Sequence, residues 1–176
     1  MKLKTHYVFS TGLISLLLSL LFSLNFYYNL FIAFYSSFLG NTLIDRIGHK
    51  EMLTRRGYIP VRTPLTHTLP RSIGWGLVVI LPLLYLIYET HYGYSYYYDD
   101  GYYYSFLPVI ISGILVGPSH MLLDVFTENG IYIKKNGKWR RYALAHFKYD
   151  NIGINGLAIF LGFLMLLASY YFSYHY

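Results

Sequence analysis

Five stretches without a single Asp, Glu, Lys or Arg dominate the chain: 7–22, 26–43, 73–88, 104–123 and 152–172. An α-helix needs ~20 apolar residues to cross a hydrocarbon core. In that core the backbone finds no water and must bond within its own element. The stretches therefore predict an all-α membrane protein of about five transmembrane helices, a single multi-pass domain spanning residues 1–176 of a cell membrane. Composition agrees, since 55% of residues are apolar and only 12% are charged, which excludes an ordinary soluble domain. Asn25 and Asn29 mark the junction of the first two stretches, which together are too long for one span, so a tight turn is expected there. Because both are short, one re-entrant hairpin is the competing arrangement. Met1-Lys2-Leu3-Lys4 followed by an apolar run resembles a signal peptide. No small-x-small cleavage site follows and a second apolar run comes at once, so the segment reads as a retained helix.

Charge predicts orientation. With five spans, one side carries the N-terminal tail and the loops 44–72 and 125–151. That side holds all fourteen Lys and Arg against five acidic residues, a net +9; the other holds Glu89, Asp99 and Asp100, a net −3. Positive charge stays cytoplasmic, so the N-terminus and both long loops are expected inside and the C-terminus outside. Topology alone accounts for the basic residues. Contact with anionic lipid headgroups is the functional alternative, and nucleic acid is not needed to explain the charge. The outer side is rich in tyrosine: eight lie between Tyr92 and Tyr104, and Tyr170, Tyr171, Tyr174 and Tyr176 follow at the C-terminus. Amphipathic rings suit the headgroup layer, so an interfacial anchor is expected there.

On the inner side, Asn136-Gly137 sits between two short β-prone runs, Ile131 to Lys135 and Lys138 to Tyr142. Both central residues of a type I′ turn need positive φ, so this pair predicts a small cytoplasmic β-hairpin. Asp150 or Asn151 is the expected cap of the last helix, and Pro70 fits the first turn of the third. The 44–72 loop, with Gly57, Pro60 and Pro64, reads as irregular.

Cysteine is absent, which removes disulfides, thiol catalysis and thiolate metal sites. Any metal site must use imidazole and carboxylate. On the predicted topology His6 precedes the first helix, Asp45 closes the second, His67 lies just before the third, and His120 and Asp124 end the fourth. All five fall at the inner membrane face. His120 and Asp124 are four apart and share a helix face, as do Asn41, Asp45 and His49. Ionisable groups at membrane depth are costly and usually face the bundle interior. A divalent cation would offset the desolvation of two carboxylates, and the mixed N/O set suits Zn, Mn or Fe better than Ca. The bland alternative is a polar structural knot. His49 and His146 are weaker candidates.

These residues carry a resemblance. Lys4-Thr5-His6-Tyr7, Asp45 with Gly48-His49, the stretch Arg62-Thr63-Pro64-Leu65-Thr66-His67-Thr68, and the stretch from Gly117 through His120 and Asp124 to Gly130 resemble the archaeal DUF1286 family of membrane proteins. More widely the chain resembles the YdjM/DUF457 group, described as membrane-bound metal-dependent hydrolases. His6, Asp45, Thr66-His67 and the His120-x-x-x-Asp124 pair match that group's pattern, and the resemblance implies metal-dependent hydrolysis. The group's Pro-Asp-x-Asp stretch is missing, since only Asp45 stands there. The His-x-x-x-Asp helix also resembles that of zinc-dependent phospholipases C.

Two classes of function are expected from this. In the first, a hydrolase works at the inner face on a phosphoester or lipid headgroup. His6, Asp45, His67, His120 and Asp124 serve as ligands and catalytic groups, and Arg62, Arg71, Thr66 and Thr127 as substrate contacts. In the second, a non-catalytic membrane protein uses the same cluster for a structural ion or a polar lock. An ion pathway would want ionisable groups at mid-membrane, where the spans show few.

Overall fold

The computed structural model describes residues 1–22, 24–54, 57–94 and 101–175. Among them are five helices, α1 (Leu3–Leu21), α2 (Phe26–Gly48), α3 (Leu69–Tyr94), α4 (Gly101–Asp124) and α5 (Ile152–His175), and four strands, β1 (His49–Thr54), β2 (Gly57–Arg62), β3 (Ile131–Lys135) and β4 (Lys138–Tyr142). The turn between α1 and α2 is set by Asn25, whose side chain accepts from the Tyr27 amide at 2.8 Å and so caps α2. Asn151 caps α5 in the same way, accepting from Ile154 N at 3.0 Å. Pro70 lies in the first turn of α3, where a missing N–H costs nothing.

α1, α2 and α4 pack on one another at the centre, with α5 against α1 and α3 against α4 and α2. Ile14, Leu18, Ile32, Ala33, Ile80, Val109 and Val116 form the central apolar core. The outer faces are apolar too: Leu81, Tyr85 and Leu86 on α3 and Leu157, Phe160, Phe163 and Leu167 on α5 are each more than half exposed. A water-soluble surface does not carry such faces, whereas a bilayer covers them. Four helices, all but α2, are long and apolar enough to cross a membrane. α2 is long enough at 23 residues, ~35 Å at 1.5 Å per residue. Its apolar character is diluted by buried Asn29, Ser36, Ser37 and Asn41.

Three expectations need correction. The helices extend further than the uncharged stretches, so His6 lies inside α1 rather than before it, while Asp45 closes α2 as expected, in its last turn. Charged side chains at a helix end interrupt hydropathy without interrupting the helix. For the same reason the connection between α3 and α4 is shorter than 89–103, since α3 runs to Tyr94 and α4 begins at Gly101. The 44–72 loop is not irregular either. β1 and β2 pair antiparallel from His49↔Arg62 to Thr54↔Gly57, and a two-stranded ribbon tolerates Pro60 because half of its nitrogens face outward. The Asn136-Gly137 hairpin forms as expected, with Asn136 at φ 52° and Gly137 at φ 75° and Lys135↔Lys138 closing the turn. Of the tyrosines expected outside, Tyr96, Tyr97, Tyr98 and Tyr176 lie outside the described residues; Tyr170, Tyr171 and Tyr174 at the end of α5 are exposed.

Candidate metal centre

The same end of the bundle collects all five predicted side chains. His6 comes from α1, Asp45 from the last turn of α2, His67 from the turn before α3, and His120 and Asp124 from the last two turns of α4. Close approach of the chain makes this possible. A Cβ on Gly48 would overlap the Thr66 hydroxyl and stand 2.6 Å from the His67 ring, so only glycine lets the end of α2 rest on this turn.

The donor atoms face one another. His120 Nε2 lies 3.1 Å from Asp124 Oδ2 and 3.4 Å from Asp45 Oδ1. His67 Nε2 lies 3.7 Å from each of the same two oxygens. Ligands ~2.0–2.2 Å from a tetrahedral ion stand ~3.3–3.6 Å apart, and the four separations straddle that range. His6 Nε2 is 3.3 Å from Asp124 Oδ1, and its ring stacks on His120 with centroids 3.9 Å apart. Two sets, His6–His120–Asp124 and Asp45–His67–His120, each present three donors within 4.8 Å of one another.

Hydrogen bonding decides which imidazole nitrogens are available. The Asn41 amide donates to Ser37 O at 2.7 Å, so its oxygen accepts from His120 Nδ1–H at 2.8 Å. The Thr66 hydroxyl donates to Ile44 O at 2.9 Å and hence accepts from His67 Nδ1–H, also at 2.9 Å. Both rings therefore turn an Nε2 lone pair toward the carboxylates, the arrangement that orients histidine ligands in metal sites. Those atoms have no hydrogen-bond partner: His67 Nε2, His120 Nε2, Asp124 Oδ2 and both nitrogens of His6 are buried and unpaired. Unpaired buried polar atoms are expensive, and three of them facing one another, His67 Nε2, His120 Nε2 and Asp124 Oδ2, are the property a bound cation would satisfy.

Asp124 is anchored on its other oxygen. Arg62 Nη2 donates to Oδ1 at 2.7 Å and the Met1 amine at 2.9 Å. Arg62 Nη1 reaches Thr127 Oγ1 at 3.1 Å and Gly130 O at 3.0 Å, and Thr127 donates to Asp124 O at 2.8 Å. The β3–β4 hairpin is tied into this base: Tyr132 N donates to His67 O and Tyr132 OH to Arg62 O. Burial pushes the His67 imidazole down to about 4, so it is neutral near pH 7 and keeps its lone pair.

Four of the five side chains have no exposed surface; Asp45 is 20% exposed, so the cluster opens to its surroundings at Asp45. His49 stands beside that opening, 28% exposed, with Nδ1–H donating to Asp45 O at 2.6 Å. Arg71 is exposed at the start of α3, donates to Pro64 O and lies 5.1 Å over the Trp139 ring. His146 is exposed on the far side of the hairpin, at φ 56°, and does not join either set. Sequence reasoning passed over Asn41 as the partner of His120. The signal was its spacing of four from Asp45 on one helix face.

No curated protein and no solved structure matches the chain. The model of a family described as "Protein of unknown function (DUF1286)" matches residues 1–123, a span that contains His6, Asp45, His67 and His120 and stops one residue before Asp124. With more than two thirds of its length matched, the chain belongs to the DUF1286 family.

Proposed function

We infer that this protein is a metal-dependent hydrolase of the cell membrane, acting at the cytoplasmic face on a phosphoester or lipid headgroup. The five-span topology with N-terminus inside and C-terminus outside is part of this reading. It rests on the segregation of all fourteen Lys and Arg to one side, the side on which the cluster lies. The likeness to archaeal membrane proteins and to the YdjM/DUF457 hydrolases belongs here as well.

The observation that carries the reading is a ring of four facing donors, the unpaired and buried His67 Nε2, His120 Nε2 and Asp124 Oδ2 with the partly exposed Asp45 Oδ1, at four mutual separations of 3.1–3.7 Å. These residues, with His6 adjoining through Asp124, would hold a divalent ion, Zn first and Mn or Fe next by their N/O chemistry. Such an ion supplies Lewis acidity toward a phosphoryl oxygen and makes water a better nucleophile. The chain's own groups do the positioning. Asn41 and Thr66 hold the two imidazoles, and Arg62 with Thr127 holds Asp124. We therefore assign Arg62, Thr66 and Thr127 to orienting ligands rather than to gripping substrate, and leave Arg71 as the exposed cation for a phosphate. Arg62 already offsets one of the two carboxylates, so a divalent ion leaves the pocket net positive. An anionic phosphoester suits such a pocket.

The burial of four of the five side chains favours the second reading, a structural ion in a closed shell. Asp45→Ala separates the two, because Asp45 is the partly exposed member and pairs with no buried arginine. Elemental analysis of purified protein should find bound Zn, Mn or Fe in the parent chain. In the variant both the ion and phosphodiester hydrolysis should be lost while the unfolding midpoint holds. A parent chain without metal would remove the hydrolase reading. An ion whose loss unfolds the protein would make it structural.

A further inference from the structure

An apolar groove of about 320 Å³ runs between α1, α4 and α5 at the same end of the bundle as the His/Asp cluster. Phe9, Leu123 and Ala158 form its floor, all nearly buried; Leu157, Leu161 and Phe126 form a rim that is 55, 41 and 37% exposed. Its lining is almost free of polar atoms, so water gains nothing by filling it. α1, α4 and α5 are all among the helices able to cross a membrane, and a groove on their outer side opens onto lipid.

The groove adjoins the candidate centre through the chain itself. Leu123 immediately precedes Asp124, and Phe9 lies three residues after His6 on the same helix. At the membrane edge the groove passes the end of α4 to Phe126 and Phe147, where Phe147 N donates to Phe126 O at 3.0 Å. Thr127, which follows Phe126 and bridges to Phe147, bonds Arg62, and the next residue after Phe147 is the exposed Lys148. A hydrocarbon chain lying in the groove would thus bring its polar head to the depth of the cluster, beside cationic side chains. The volume is at the small end of ligand sites (~300–1,000 Å³) and suits one chain rather than a whole two-chain lipid.

We propose that the groove between α1, α4 and α5 holds one acyl chain of a phospholipid whose phosphate lies at the membrane edge beside Lys148. The chain occupies a recess that excludes water, and the headgroup is held at the membrane edge by Lys148 and the basic inner face. A soluble phosphoester would lack that tether and bind by its charge alone.

The test is lipid retention by the full chain in detergent, read by native mass spectrometry with long-chain phosphatidic acid and with chainless glycerol 3-phosphate as probes. Phosphatidic acid should remain as a single adduct and glycerol 3-phosphate should not. Ala158→Phe places a ring in the floor and should lower retention by about tenfold or more, the lost contact of a few methylenes. Leu161→Trp narrows the same groove from its exposed rim without overpacking the core, and should act in the same direction. Ile114→Phe, at an exposed position of α4 outside the groove, should change nothing. Equal retention in the parent chain and in Leu161→Trp, or equal binding of the two probes, would overturn the proposal. Elemental analysis of the same preparations keeps the two readings apart: retained lipid without metal removes the hydrolase and leaves the chain site standing.

Discussion

Two buried polar regions share α1. Along the seam between α1 and α5, Ser15 and Ser19 each bond Ser169 at 2.7 Å, and Ser19 also meets Ser173 at 2.9 Å. The helices approach closely there because a Cβ on Gly12 would run into the Gly162 carbonyl, the small-residue packing that membrane helices favour. Every serine hydroxyl of this seam has a partner. At the N-terminal end of the same helix, His6 has none, and neither do His67 Nε2, His120 Nε2 and Asp124 Oδ2. Both regions are polar, buried and built across helices. The seam is complete within the protein and serves packing. The cluster is incomplete within the protein, and incompleteness of that kind points outward, to a ligand.

The contrast can be broken hardest at Asp124. Asp124→Ala leaves Arg62, only 6% exposed, without its carboxylate, and an uncompensated buried charge costs ~3–5 kcal/mol. Chemical unfolding in detergent should show that loss with or without added metal, which is why Asp45 and not Asp124 is the clean probe of the ion. Smaller and more telling are the orienting residues. Asn41→Ala and Thr66→Val leave all five donors in place but release the rings of His120 and His67. Metal affinity should fall ~10–100-fold, measured by competition with a chelator, while stability changes less than for Asp124→Ala. Unchanged affinity would mean that the hydrogen bonds to Nδ1 only fill space. The smallest effect belongs to the seam. Ser169→Ala removes two hydroxyl contacts, leaving Ser19 its bonds to Ser15 O and Ser173 and taking from the Ser15 hydroxyl its bond to Ser169, and interhelical bonds of this kind are worth ~0.6 kcal/mol on average. A modest drop in unfolding midpoint with metal content intact is expected, and a loss of metal would show that the two regions are coupled.

Legibility in the sequence followed the range of the interaction. The five apolar stretches, the i,i+4 pair His120–Asp124 and the Asn136-Gly137 turn are local patterns, and each produced the element expected of it. The gathering of His6, Asp45, His67, His120 and Asp124 at one end followed from counting spans, since alternation of helices puts those ends together. The β1–β2 ribbon was missed because Gly57, Pro60 and Pro64 speak for irregular chain, while its pairing is fixed by its ends: His49 closes α2 and pairs with Arg62, whose guanidinium is anchored on Asp124. Arg62 read as a phosphate contact because its type and position fit one. Its partner lies 62 residues away, beyond the reach of any local pattern.

By itself, then, the sequence determined how many helices form, which end of each carries ionisable groups, and where a positive-φ turn must stand, because hydropathy, spacing and backbone sterics act within a few residues. Only the tertiary structure decided which nitrogen of each histidine faces inward, that Arg62 is committed to Asp124, and that α1, α4 and α5 leave an apolar groove beside the cluster. Those outcomes depend on how closely separate helices approach. That distance is set by contacts such as Gly12 on Gly162 and Gly48 on Thr66, which exist only once the whole bundle has packed.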